Sequence, residues 1–144
     1  MNIASSEIVH AAKKWLGTPY RHQASLKGTG CDCLGLIRGV WFDLYGTKAQ
    51  KPPPYTRFAN DPDSAFQLLD AAEKYLVSRN PVPSAGLVVL FRIHRELPPR
   101  HCAIFIEDNR FIHAQERHGV IITPLSVSWQ RRIHSIYAFP QRLS

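Results

Sequence analysis

The chain has 144 residues, 44% of them hydrophobic and 20% charged, with a formal net charge of +7. That length suits one core of ordinary size and is short for two, and the composition is that of a globular chain rather than a disordered one. The charge calls for an anionic partner: nucleic acid, an anionic cell-wall polymer or an acidic membrane surface. The basic residues are scattered (Lys13-Lys14, Arg38, Arg92, Arg95, Arg100, Arg131-Arg132), with no dense arm and no nucleic-acid-binding motif, which argues against nucleic acid.

A first helix is expected from Ser5 and Ser6, read as N-caps, with Ile8, Ala11, Ala12, Trp15 and Leu16 at helical spacing. Gly17 ends it and Pro19 forbids its continuation. Residues 18–32 read as an irregular loop, in which Gly28 and Gly30 allow turns that other residues resist. A second helix is expected from about Cys33 to Tyr45, with Leu36, Ile37, Val40, Trp41 and Leu44 as its apolar face and Gly46 as its stop. Gly35 and Gly39 cost helix propensity there, so they mark close packing against another element.

Lys51-Pro52-Pro53-Pro54-Tyr55 reads as a stiff, extended connector. Asp61-Pro62 or Asp63 would cap a third helix with Phe66, Leu69, Ala72 and Leu76 as its buried stripe. Beyond Asn80 short β-branched and aromatic runs follow at 86–92, 101–107, 110–114, 119–123 and 133–139. Asp108-Asn109 is a hairpin signal, His118-Gly119 a second turn, and 126–131 a brief helical turn. Helices first and an antiparallel meander of about five strands afterwards define an α+β fold, read as one domain over residues 1–144.

The chemistry concentrates at Asp32-Cys33. A cysteine entering the first turn of a helix has its thiolate stabilised by the helix's positive end, which lowers its pKa. Three readings compete for the cysteines. All three could be small buried hydrophobes; this is the reading for Cys102, whose strand alternation sends it and His101 to opposite faces, and for Cys31. Cys31, Cys33, His101 and Cys102 could hold a metal, but structural zinc sites use paired C-x(2–4)-C elements, and here a single C-x-C stands alone. The third reading is a nucleophilic Cys33 served by a histidine base. His101 opens a strand, and His113 lies near the end of the next one across a short hairpin, so both imidazoles can share a face. His113 would then orient His101, as an acidic residue does in a serine triad. No cofactor and no metal are expected.

These residues resemble the NlpC/P60 peptidases, papain-like cysteine peptidases that cut peptidoglycan stem peptides. The likeness is carried by Gly17-Thr18-Pro19-Tyr20, Asp32-Cys33-x-Gly35, the strand-opening His101 and His113-Ala114. Tyr20-Arg21-His22-Gln23, residues 30–41, Trp129-Gln130-Arg131-Arg132 and Phe139-Pro140 resemble the branch found in phage and gene-transfer-agent tails. The resemblance implies a papain-like α+β fold, Cys33 as nucleophile, His101 as general base and acid, and His113 as the orienting third member. It places Tyr20 beside the active site, where its hydroxyl would help stabilise the oxyanion; His22, in the loop before the nucleophile, is read as lining the substrate cleft. Asp32 is read as the cap of the nucleophile helix. Where the family has Pro-Gly-Asp before its first core strand this chain has Ser84-Ala85-Gly86-Leu87, and Ala103 replaces a glycine after the base. The lost aspartate leaves a local turn in question.

The implied reaction is hydrolysis of the γ-D-glutamyl–diamino acid bond of the peptidoglycan stem peptide. The alternatives are an amidase or acyltransferase on the same scaffold, and a tail structural protein without turnover. The first residues carry neither a basic region nor an apolar one, so no secretory signal is expected. No run reaches the roughly 20 apolar residues of a membrane span. Synthesis in the cytoplasm and delivery to the wall on a phage-like tail, with tail proteins as partners, is the localisation expected.

Overall fold

A computed structural model describes residues 2–49 and 66–142. Helix α1 (Ser5–Lys13) is followed by a short hairpin, β1 (Ser25–Leu26) and β2 (Gly30–Cys31), and then by α2 (Cys33–Ala49). After α3 (Gln67–Tyr75) come β3 (Val77–Arg79), β4 (Val88–Phe91), β5 (His101–Ile106), β6 (Arg110–Gln115) and β7 (Gly119–Pro124), then α4 (Val127–Gln130) and β8 (Ile133–Ala138). The larger sheet runs in the order β3-β8-β4-β5-β6-β7, antiparallel throughout. The mixed α+β, papain-like architecture expected from the sequence is the one observed.

The five expected strands are present and a sixth joins them. Val77–Arg79 pairs with Ile136–Ala138 as an edge strand, although its residues are exposed and show no apolar alternation. Ser5 and Ser6 do not cap α1: Ala4 occupies the N-cap position, makes no side-chain bond, and both serines fall in the first turn. Phe66 is not part of a buried stripe. It precedes α3 and stays exposed, and Ala72 is the helix's fully buried residue. The expected connector at Lys51–Tyr55 and the caps at Asp61, Pro62 and Asp63 lie outside the described residues. The remaining turns follow the sequence reading. Asp108 and Asn109 both take positive φ (63° and 56°) in the three-residue turn 107–109 that joins Ile106 to its partner Arg110, and Ser126 caps α4 by accepting from Trp129 N–H.

Apolar residues cover both faces of the sheet. On one face α1 and α2 bury Ile8, Ala12, Trp15, Leu36, Val40 and Trp41 against Leu90, Cys102, Ile104 and Ile112. On the other, Phe91, Phe105, Phe111 and Leu125 pack with Trp129 of α4. The glycines of α2 explain how closely that helix docks. A Cβ at Gly35 would lie 1.9 Å from the carbonyl oxygen of Ala24, and one at Gly39 would lie 2.0 Å from the Trp15 ring. Gly46, at φ 70° and ψ −177°, breaks the helical path where the sequence predicts a stop. The Ser84–Gly86 turn forms without the family's aspartate: Leu87 N–H donates to Ser84 O (3.2 Å), and Gly86 takes φ 90°.

Candidate active site

The segment before α2 is held in place by its own backbone. Cys31 N–H donates to Pro19 O and Arg21 N–H donates to Cys31 O (both 3.0 Å), which lays Tyr20 alongside β2. Gly17 N–H donates to Val120 O and Val120 N–H to Thr18 O, tying the same stretch to β7. Asp32 then caps α2 from a buried position. Its Oδ1 accepts from Gly35 N–H (2.7 Å) and its Oδ2 from Gln23 N–H (2.6 Å). The expectation that Asp32 shapes backbone is thus met, and the same carboxylate also fastens the loop carrying His22. Burial raises the Asp32 pKa, against the lowering by these two backbone donors.

Cys33, half-buried, begins α2 and approaches the sheet from the helix face. His101 stands at the first position of β5, opposite Phe91, so its ring is at the end of the sheet rather than enclosed within it. Ile104 pairs with Ile112, so in the same register His113 falls opposite Ala103, one diagonal step from His101. The two rings meet: His101 Nε2 lies 2.7 Å from His113 Nδ1. On its far side His113 Nε2 contacts Thr123 Oγ1 at 2.8 Å. Phe91, Phe111 and Trp129 wall the pair, with ring-centroid distances of 6.2 Å from Phe91 to His101 and of 4.7 and 5.5 Å from Phe111 and Trp129 to His113.

The protonation pattern follows from these contacts. His113 is fully buried, and burial, reinforced by repulsion from His101, pushes its pKa down to about 3. It is therefore neutral at physiological pH. Placing its proton on Nε2, toward Thr123, leaves Nδ1 to accept from His101 Nε2–H. That leaves His101 Nδ1 as the nitrogen available to Cys33. The Cys33 thiol is held well below its ordinary pKa by hydrogen bonding from the Cys102 thiol, opposed by burial and assisted by hydrogen bonding and charge from His101. The Cys102 thiol is pushed well up by the same contact and by burial, so the proton between the two sulfurs stays on Cys102. Burial pushes the Cys31 thiol up to about 12.

The structure thus brings Cys33, His101 and His113 together, with Asp32 beneath the helix end. Tyr20 is half-buried nearby, its hydroxyl pKa raised by burial and then by Cys33 and Asp32. His22 is exposed on the preceding loop, close enough to Asp32 to act on its charge. Two residues around the cysteine–histidine group were missed. Cys102 is buried as expected, but it is more than packing, because the face opposite His101 is the one that Cys33 approaches. Thr123 carries no sequence signal beyond its place in a β-rich run. Among the described residues, no group of three or more His, Cys, Asp or Glu side chains is arranged to hold a metal ion, and no helix is long and apolar enough to cross a membrane.

An α+β domain with a thiol at a helix entry facing a strand-borne histidine pair is the arrangement of papain-like hydrolases. The sequence profile of the NlpC/P60 family matches residues 17–138, and the chain belongs to that family. It is 29% identical over 128 residues to the Escherichia coli K12 murein DD-endopeptidase MepS/murein LD-carboxypeptidase, covering 88% of this chain and 58% of that protein. It is 29% identical over 137 residues to a gamma-DL-glutamyl hydrolase of Bacillus subtilis, covering 94% of this chain and 30% of that one. The chain therefore spans little more than half, or less, of these curated relatives. Among solved structures, an NlpC/P60 family protein from Bacillus cereus superimposes with a TM-score of 0.69 at 19% identity over 96% of this chain and 41% of its own. The NlpC/P60 domain of the peptidoglycan hydrolase SagA does so with a TM-score of 0.65 at 22% identity, over 95% and 100%.

Proposed function

We propose that the protein is a cysteine peptidase of peptidoglycan stem peptides, with Cys33 as nucleophile, His101 as proton carrier and His113 as the group that orients His101. The observation that carries this reading is the hydrogen-bonded chain from Thr123 through His113 to His101, ending beside a thiol whose pKa is depressed. The Cys33 thiol gives its proton to His101 Nδ1, and the thiolate attacks the scissile carbonyl carbon, forming the C–S bond and an oxyanion. The backbone N–H of Cys33, in the unpaired first turn of α2, and the Tyr20 hydroxyl are the donors for that oxyanion. Collapse breaks the C–N bond as His101 gives its proton to the leaving amine. Water, deprotonated by His101, then attacks the thioester and returns Cys33 as the thiolate.

We place the scissile bond between the γ-carboxyl of D-glutamate and the diamino acid. The likeness to a gamma-DL-glutamyl hydrolase supports this, while the likeness to a DD-endopeptidase names the competing bond. The net charge of +7 suits an anionic wall. Delivery on a phage-like tail is part of the proposal and rests on the resemblance of residues 20–23, 30–41, 129–132 and 139–140. The test is incubation with purified muropeptides and mass analysis of the products. Release of a fragment with a free diamino-acid α-amine, lost in Cys33→Ala, supports the proposal. A D-alanyl product would move the bond, a transferred acyl group would make the protein an acyltransferase, and equal inertness of wild type and variant would leave a structural protein.

A further inference from the structure

Part of the chain's positive charge gathers at one groove, which borders the aromatic wall of the histidine pair through Trp129. Residues 92–100 and 127–132 hold five arginines and one glutamate, +4 of the net +7. The two segments flank a groove of about 460 Å³ into which Arg92, Arg95, Arg131, Arg132 and His94 contribute. Among the described residues none of these four arginines forms an ion pair with a carboxylate. The walls are fixed rather than trailing. Arg92 N–H donates to Arg132 O (2.8 Å), Arg100 N–H to Phe91 O (3.0 Å) and Leu97 N–H to His94 O (3.1 Å). The Arg132 guanidinium sits 5.0 Å over the Trp129 ring.

Guanidinium groups gathered without ion-paired carboxylates favour a planar or tetrahedral oxyanion that can accept paired hydrogen bonds. The groove also presents Ile93 and Val127, which are 65% and 62% exposed. Leu97, in the same loop, is 42% exposed. A soluble polyanion gains nothing from exposed aliphatic side chains beside its charges, whereas an anionic amphiphile does. We propose that this groove binds the phosphate headgroup of an anionic lipid, with Ile93 and Val127 against the first acyl carbons, so that the domain docks on a membrane surface by this groove.

The test is co-sedimentation of the protein with phosphatidylcholine vesicles, with and without added phosphatidylglycerol, at an ionic strength where charges beyond about 10 Å are screened. Wild type is expected to partition onto the phosphatidylglycerol vesicles alone. Arg95→Glu with Arg131→Glu should weaken that partition by about tenfold or more, since each basic residue near an anionic surface contributes about fivefold. Ile93→Ser with Val127→Ser should weaken it several-fold. Lys14→Glu with Arg79→Glu, an equal change of charge elsewhere, should leave most of the binding in place. Folding of each variant is checked by circular dichroism and thermal melting.

The proposal is overturned if wild type ignores phosphatidylglycerol, or if both charge-reversal pairs lose binding equally. It is also overturned if the serine pair binds as wild type while glycerol phosphate displaces the protein, which would make the groove a soluble-phosphate site. Vesicle binding is read without substrate, so its failure is independent of the peptidase reading.

Discussion

His101 Nε2 and His113 Nδ1 stand 2.7 Å apart, and this one contact decides which nitrogen of His101 can serve Cys33. Because burial keeps His113 neutral, it accepts from His101 rather than competing for charge. Replacing it with leucine removes the acceptor and frees the ring of His101 to turn. For His113→Leu we expect kcat on muropeptides to fall about 100-fold or more, within the range by which a positioned acid–base group contributes. His113→Asn, whose amide oxygen can still accept from Nε2–H, should recover a substantial part. Equal loss in both variants would show that His113 matters for packing and not for orientation.

The same burial makes a prediction about stability. The His113 pKa is about 3 in the folded protein against 6.5 for an ordinary histidine, so between these values the unfolded chain binds a proton that the native one refuses. The stability associated with neutral His113 is fully present above pH 6.5 and is lost as pH falls toward 3. The slope is about 1.4 kcal/mol per pH unit where the difference is one full proton. Urea unfolding of wild type and His113→Asn at a series of pH values should show this slope in the first and not in the second. Parallel curves would mean that His113 takes up its proton while folded.

The Cys102 thiol stabilises the Cys33 thiolate by hydrogen bonding and holds the shared proton. Cys102→Ala removes that donor. The thiolate absorbance of Cys33, titrated against Cys33→Ala as a blank, should then shift to higher pH. Alkylation of wild type at pH 6 should label Cys33 well before Cys31, whose pKa is pushed up to about 12. An unchanged titration in Cys102→Ala would assign the depressed pKa to His101 and the helix end alone.

Much of this site could be read in the sequence because each part has a local signature. Cys33 follows a capping residue at a helix entry, and His101 and His113 occupy strand positions whose shared parity and short hairpin put them on one face. Cys102 is buried as the alternation predicts, but its contact with Cys33 went unforeseen because alternation reports only that it faces away from His101. Which face receives the end of α2 is settled by packing, in which Gly35 and Gly39 let the helix settle against Ala24 and Trp15. Thr123 was invisible because its role depends on the register across β6 and β7, where it pairs with Phe111 two residues from His113. Strand β3 went unseen because Val77–Arg79 is held by pairing to β8 and not by burial of its own side chains.

Asp32 supports the site without touching the sulfur, and that role can be separated from simple helix capping. One carboxylate oxygen accepts from Gly35 N–H inside α2, and the other accepts from Gln23 N–H in the preceding loop, where Gln23 holds φ at 65°. A left-handed non-glycine residue costs about 1 kcal/mol or more, which that second bond offsets. Asp32→Ala loses both acceptors and should cost about 2 kcal/mol or more, seen as a drop of several degrees in Tm. Asp32→Asn can keep the cap through its oxygen, but its amide nitrogen cannot accept from Gln23. It should therefore lose less stability while freeing the loop that carries Tyr20 and His22, raising KM more than it lowers kcat. Gln23→Gly should stabilise wild type, where the loop is held at positive φ, more than it stabilises Asp32→Asn, where the freed loop can leave that conformation, a non-additivity that thermal melts of the four proteins would measure. Strict additivity would show that the loop keeps its path without the carboxylate, and Asp32 would then be a helix cap alone.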